Sequence, residues 1–117
     1  MNLARICKVG FGRKVLGMAR TSSGNLHMGR YFHRNELNAV LAEADVVALC
    51  LPITSDTECI IDAAALAAMK PTAYLIDGAR GTLIDEEALV DALQNGRIAG
   101  AGLDSTTVEP LPEESLL

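Results

Sequence analysis

Asp45-Val46-Val47-Ala48-Leu49-Cys50-Leu51-Pro52 is the stretch whose reading decides the fold. A continuous apolar run with β-branched residues, opened by a carboxylate and closed by proline, predicts a strand buried on both faces of a parallel sheet. Upstream, Asn35 reads as a helix N-cap: Glu36 follows in the first turn, and Leu37, Val40, Leu41 and Ala44 recur at i, i+3, i+4 and i+7. Downstream, Asp62 opens a helix that runs through Met69 and Lys70 and is stopped by Pro71. Ala73-Tyr74-Leu75-Ile76 is the next buried strand. Asp85 then caps a third helix, with Glu86 and Glu87 near the positive end of its dipole, an apolar stripe of Leu89, Ala92 and Leu93, and Asn95-Gly96 as stop signal. Residues 97–103 form a last strand, with Gly100 and Gly102 where a backbone or a ligand comes close.

Nearer the N-terminus, Lys14-Val15-Leu16-Gly17-Met18-Ala19 is a strand that runs into the turn-rich Arg20-Thr21-Ser22-Ser23-Gly24. Residues 25–34, which hold His27 and His33, show no clear period and read as loop. Four strands alternating with three helices specify an α/β fold with a parallel sheet and right-handed crossovers.

Composition narrows the function. At 117 residues there is room for one core, and with no Trp, two Phe and two Tyr that core is aliphatic. A formal charge of −5 argues against a general affinity for nucleic acid or an anionic membrane, and leaves small molecules as the expected partners. No apolar run approaches the roughly 18–20 residues of a membrane span, and no signal peptide is evident. Cys7, Cys50 and Cys59 are odd in number and lack C-x-x-C spacing, so neither a disulfide framework nor a metal site is indicated. Free thiols suit a reducing cytoplasm.

Open parallel sheets bind ligands beyond the carboxyl ends of their strands. Those ends are residues 19–22, 50–54, 77–81 and 104–109, the segments richest in polar side chains. Any one of them reads equally well as a connecting loop. Arg, Thr, Asp and Glu converging at all four favour a site.

At this point the residues resemble a known family. Glu43-Ala44-Asp45-Val46-Val47, Met69-Lys70-Pro71, Ala79-Arg80-Gly81, Ile84-Asp85-Glu86-Glu87-Ala88-Leu89 and Ala101-Gly102-Leu103-Asp104 together resemble the second half of the nucleotide-binding domain of the D-isomer-specific 2-hydroxyacid dehydrogenases, in register over about residues 36 to 114. The resemblance implies a Rossmann-type sheet and hydride transfer between a nicotinamide cofactor and a small 2-keto or 2-hydroxy acid, nearest in look to the glyoxylate and hydroxypyruvate reductases. It implies that Arg80 holds the substrate carboxylate and keto oxygen, a task suited to a planar bidentate fork. Glu109, followed by Pro110, matches the glutamate that pairs with the catalytic histidine. Asp104 matches the aspartate that meets the nicotinamide carboxamide, and Leu51, Pro52, Gly78 and Ala79 match positions that line the cofactor. Asp77 departs from the usual asparagine, and Ser105-Thr106-Thr107-Val108 departs from the usual V-F-E-P.

Cofactor choice is written after the second strand of such a sheet, where a carboxylate binds the NAD ribose and an arginine meets the NADP phosphate. Here Ala19-Arg20-Thr21-Ser22 offers a guanidinium and two hydroxyls and no carboxylate, which favours NADP over NAD.

Two parts of the family pattern are missing or degenerate. Gly10-Phe11-Gly12 is followed by Arg13-Lys14-Val15, without the third glycine of a phosphate-binding loop. Either residues 3–8 are the last turns of a first helix with Phe11-Gly12 its exit, the reading we prefer, or Val9 to Arg13 are a first strand and loop fused to the second strand. The histidine of the family's T-P-H motif has no counterpart, and neither His27 nor His33 replaces it. The expectation is therefore a single truncated NAD(P)-binding domain over residues 1–117, without a substrate domain. In the usual strand order the first strand lies between the second and the fourth. Its loss leaves two inner edges, to be filled by the N-terminal segment or by a homo-oligomer. Two functions remain: the dehydrogenase role of the family, and a non-catalytic remnant with weak or no nucleotide binding. For the chain by itself the second is preferred, because Arg80 and Glu109 without a proton donor orient a keto acid but barely reduce it.

Overall fold

A computed structural model describes residues 2–19, 29–78, 81–104 and 113. The chain divides into two compact units, residues 1–40 and 41–117.

The first unit opens with helix α1 (Asn2–Arg5), which continues as a π-helical turn over Ile6–Gly10. Gly12 has φ of 62°, a left-handed conformation that glycine adopts at little cost, and it turns the chain out of the helix. The helical reading of the N-terminal segment therefore holds. Its alternative, a first strand over Val9 to Arg13, does not, and the segment supplies no strand to fill a sheet. Strand β1 (Leu16–Ala19) pairs in parallel with β2 (Arg30–His33), Leu16 opposite Arg30 and Ala19 opposite His33.

β2 corrects the expected loop. Tyr31 and Phe32 are good strand formers, and Phe32 is buried, while the four-residue length and the polar ends Arg30 and His33 hide the period. The helix start is corrected as well. His33, not Asn35, is the N-cap: its N–H donates to Glu36 Oε2 at 2.7 Å, and its ring Nδ1 lies 3.5 Å from the Asn35 N–H. A 3-10 turn (Arg34–Glu36) then leads into α2 (Leu37–Glu43), which passes from the first unit into the second.

The second unit holds β3 (Val46–Leu49), α3 (Ala63–Ala68), β4 (Tyr74–Asp77), α4 (Glu86–Gln94) and β5 (Gly100–Leu103). The three strands are parallel in the order β3-β4-β5. Both predicted aspartate caps are present: Asp62 Oδ1 accepts from Ala65 N–H at 2.9 Å, and Asp85 Oδ1 from Ala88 N–H at 3.2 Å. Such caps are each worth about 1 kcal/mol. β5 starts three residues later than expected because Arg97 N–H bonds back to Ala92 O at 2.8 Å, which keeps it at the helix exit.

Side chains alternate across the sheet, so the register assigns its two faces. Val47, Leu75 and Ala101 share one face with Leu49, Asp77 and Leu103. Leu75, at 0% exposure, is its centre, and Leu66 and Leu89 from α3 and α4 are also buried. The opposite face carries Val46, Tyr74 and Ile76, all exposed. β3 was expected to be covered on both faces; it is covered on one, and it stops at Leu49, short of Cys50 and Leu51.

The loop after β3 is built around Thr57. Its buried hydroxyl donates to Pro52 O at 2.7 Å and accepts the Thr54 N–H at 2.8 Å. Residues 59–61 then run beside 82–85, with Cys59 N–H to Thr82 O at 2.8 Å, Ile61 N–H to Leu83 O at 3.1 Å, and Asp85 N–H to Ile61 O at 3.0 Å. The loops that follow β3 and β4 are thus tied to each other.

Two measurements check this packing. Leu75→Ala leaves a cavity in a fully buried site and is expected to lower unfolding free energy by about 2–5 kcal/mol. Thr57→Val strips the Pro52 carbonyl and the Thr54 amide of their part-buried partner and is expected to cost about 0.5–1.5 kcal/mol, with Thr57→Ser recovering part of it. Urea denaturation reads both, and hydrogen exchange at the Thr54 amide reports the second directly.

Candidate functional site at the carboxyl strand ends

Leu49, Asp77 and Leu103 are in register, so β3, β4 and β5 end level. Adjacent strands lie about 4.8 Å apart, which makes their ends one continuous ledge. The Asp104 N–H donates to Asp77 O at 3.0 Å and extends the ladder by one more bond. Along this ledge stand Leu51 and Pro52 after β3, Gly78 after β4 and Asp104 after β5. The topology thus brings four of the expected cofactor-lining positions to one end of one sheet. Leu51 is half-buried, whereas Pro52, Gly78 and Asp104 are exposed.

Each position offers something distinct. A Cβ added at Gly78 would meet no atom within 4 Å beyond its chain neighbours, so the position itself is open. Asp104 presents an exposed carboxylate, an acceptor suited to the N–H groups of an amide. Pro52 holds no N–H, and its carbonyl is taken by Thr57, so that stretch offers a fixed apolar edge.

Asp77 sits beneath the ledge at 1% exposure. Its Oδ2 and the Thr82 Oγ1 are buried atoms without a hydrogen-bond partner among the described residues, and they bracket the Ala79-Arg80 segment in sequence. Sequence reasoning noted Asp77 at a strand end and as a departure from a family pattern; its burial follows from the inward side of β4, which strict alternation from Leu75 would have given. Thr57 was missed, since a hydroxyl that closes a loop on itself leaves no periodic trace.

Arg20, Thr21, Ser22, Ala79, Arg80 and Glu109 lie outside the described residues. In the first unit β1 ends at Ala19, level with His33, immediately before Arg20. Among the described residues no cluster of three or more His, Cys, Asp or Glu could hold a metal ion, and no helix is long and apolar enough to cross a membrane.

Comparison with known proteins gives these positions a context. Glyoxylate/hydroxypyruvate reductase B of Serratia proteamaculans is 42% identical over 115 residues, which cover 98% of this chain and 35% of that protein. Among solved structures, a D-isomer specific 2-hydroxyacid dehydrogenase of Xanthobacter autotrophicus Py2 in complex with NADPH matches with a TM-score of 0.84 at 39% identity, over 89% of this chain and 43% of that one. An NADPH-dependent glyoxylate/hydroxypyruvate reductase of Sinorhizobium meliloti in complex with NADP and malonate matches with a TM-score of 0.86 at 38% identity, over 95% of this chain and 34% of that one. The chain spans about a third of the length of the curated relatives it matches. The family model for the D-isomer specific 2-hydroxyacid dehydrogenase NAD binding domain matches residues 1–117, the same parallel architecture that the strands and helices form here, and the chain belongs to that family.

Proposed function

We propose that this chain forms the cofactor side of a reductase that acts on a small 2-keto acid of the glyoxylate and hydroxypyruvate class, with NADPH preferred to NADH. The observation that carries the proposal is the level ledge at the ends of β3, β4 and β5, open at Gly78 and flanked by Asp104. The bound dinucleotide supplies the hydride.

The chain's own residues bind and orient. Leu51 and Pro52 form an apolar wall, Asp104 accepts from the carboxamide, and Gly78 with Ala79 leaves room for close approach. Arg20, following β1 with Thr21 and Ser22, donates to the 2′-phosphate that distinguishes NADP from NAD. Arg80 fixes the substrate carboxylate through paired hydrogen bonds. Glu109 holds a histidine, supplied from outside these 117 residues, in its protonated and correctly oriented form. The acting unit is a homo-oligomer, in a reducing cytoplasm that suits the free thiols Cys7, Cys50 and Cys59.

A second reading has an observation of its own. Gly10-Phe11-Gly12 closes a helix and does not open one, so these glycines do not cradle a pyrophosphate at a helix N-terminus. By itself the chain then keeps the fold, binds dinucleotide weakly and reduces keto acids barely.

Titration of the 117-residue chain with NADPH and NADH tests the proposal. NADPH is expected to bind roughly 10–100-fold tighter, the worth of one or two charge-assisted hydrogen bonds. Arg20→Ala should erase that difference and leave NADH affinity unchanged. Equal affinities in the unsubstituted chain would contradict the NADP assignment. For the NADPH-loaded chain, Arg80→Ala is expected to weaken glyoxylate binding at least about tenfold; unchanged glyoxylate affinity would remove Arg80 from the substrate site.

A further inference from the structure

Asn95-Gly96 ends α4, and the pair that makes a good helix stop is also a chemically reactive one. In an Asn-Gly step the main-chain nitrogen of the glycine attacks the asparagine side-chain carbonyl. A Cγ–N bond forms, the Cγ–Nδ2 bond breaks, ammonia leaves, and a five-membered succinimide remains. Water then opens that ring at one carbonyl or the other, giving aspartate or an isoaspartyl residue whose main chain runs through Cγ. Glycine favours the attack because no Cβ crowds its nitrogen. The four other asparagines are followed by Leu3, Leu26, Glu36 and Ala39, so Asn95 alone has the glycine.

Crowding does not block the step. Asn95 and Gly96 are exposed, and a Cβ built at Gly96 would meet no atom within 4 Å beyond its chain neighbours. Conformation and hydrogen bonds oppose it instead. Asn95 has ψ of 6°, which brings the Gly96 nitrogen close to eclipsing the nitrogen of Asn95 itself and turns it away from Cβ and the side-chain carbonyl. Gly96, at φ of 64°, completes the cap, and its N–H donates to Leu93 O at 3.3 Å. The nucleophile is that nitrogen after loss of its proton, and the donated bond keeps the proton in place. The leaving group is held as well: Asn95 Nδ2 donates to Asp91 O at 2.8 Å and to Asp91 Oδ1 at 2.9 Å.

We propose that Asn95 is a deamidation site kept closed by the α4 cap and guarded by Asp91, so that the reaction runs only when the exit of α4 opens. The change is one-way. Either product replaces an amide that donates twice to Asp91 with a carboxylate, which sets two negative charges side by side at the negative end of a helix. The isoaspartyl form also adds one methylene to the main chain between α4 and β5, which starts at Gly100. A modified chain cannot rebuild the cap it has lost, and the link that delivers β5 to the sheet is loosened. The site does not depend on the cofactor reading.

Peptide mapping by mass spectrometry, with electron-transfer fragmentation to separate aspartate from isoaspartate, follows the reaction in the 117-residue chain incubated at mildly alkaline pH. Native chain is compared with chain unfolded in guanidinium chloride, and Asp91→Ala and Asp91→Asn serve as variants. Conversion at Asn95 is expected to be at least about tenfold slower in the native chain, because the closed cap must first open. Asp91→Ala, which removes one acceptor, is expected to raise the native rate about three- to tenfold and to leave the unfolded rate unchanged. Asp91→Asn keeps an acceptor oxygen and should stay near the unsubstituted rate. Asp91 is exposed, and far-UV circular dichroism checks that each variant folds; Asp91→Leu, which also lacks an acceptor, stands in for Asp91→Ala if that one does not. Equal rates in native and unfolded chain, a native rate unmoved by loss of the Asp91 acceptor, an Asp91→Asn variant as fast as Asp91→Ala, or an unfolded chain in which Asn95 reacts no faster than Asn35 and Asn38 would each overturn the proposal.

Discussion

The parallel ladder that places β4 between β3 and β5 is the constraint on which the rest depends. Its register sets Leu49, Asp77 and Leu103 side by side, and the Asp104 N–H on the Asp77 carbonyl carries the alignment one residue past the strands. A slip of one residue would bring Asp77 to the open face and Leu75 out of the core. Core and candidate site are therefore fixed by the same hydrogen bonds. Leu75 at the buried centre holds the strand in place, and the strand's carboxyl end then has no freedom in where it delivers Gly78.

The loops inherit this order. Thr57 closes the chain after β3 onto Pro52 and Thr54, and residues 59–61 lie along 82–85, so the segments that leave β3 and β4 brace each other. The segment between Gly78 and Gly81, which holds Arg80 of the proposed substrate site, is thus bounded on one side by a buried strand end and on the other by Leu83 and Ile84, both buried. A guanidinium recognises a carboxylate through geometry as much as charge, and that geometry survives only where the backbone on either side is fixed.

Much of the fold was legible in the sequence. The caps Asp62 and Asp85 and the strand read over Ala73 to Ile76, which forms one residue later over Tyr74–Asp77, are local signals whose physics is complete within a few residues, whereas the helix read through Lys70 to Pro71 already ends at Ala68, with Met69 in extended conformation. That the strand ends carry the candidate positions was legible too, because a parallel sheet gathers its carboxyl ends on one edge; that β3, β4 and β5 end level comes from the register alone. Three features were not. β2 is four residues long with charged or polar ends, so its pairing with β1, not any pattern of its own, makes it a strand. His33 caps through its backbone and its ring together with Glu36, a combination that the ranking of good capping residues passes over. The open sheet face looks like a covered one in sequence, since Val46, Tyr74 and Ile76 are what a buried strand also carries; only accessibility separates the two. For the site, Leu51, Pro52, Gly78 and Asp104 stand at the ledge that the strand order foretold, whereas Thr57 acts through a closed loop that no spacing announces.

In the function proposed above, the ends of β3, β4 and β5 form one surface for the nicotinamide cofactor. Backbone amide chemical shifts of the isotopically labelled chain, followed by NMR as NADPH is added, test it most directly. The expected result is a set of saturable shifts at Leu51, Ile53, Gly78 and Asp104, with the amides at the opposite ends of the same strands, Val46, Tyr74 and Gly100, unmoved. Saturable shifts that spare Gly78 and Asp104 while appearing elsewhere would contradict it.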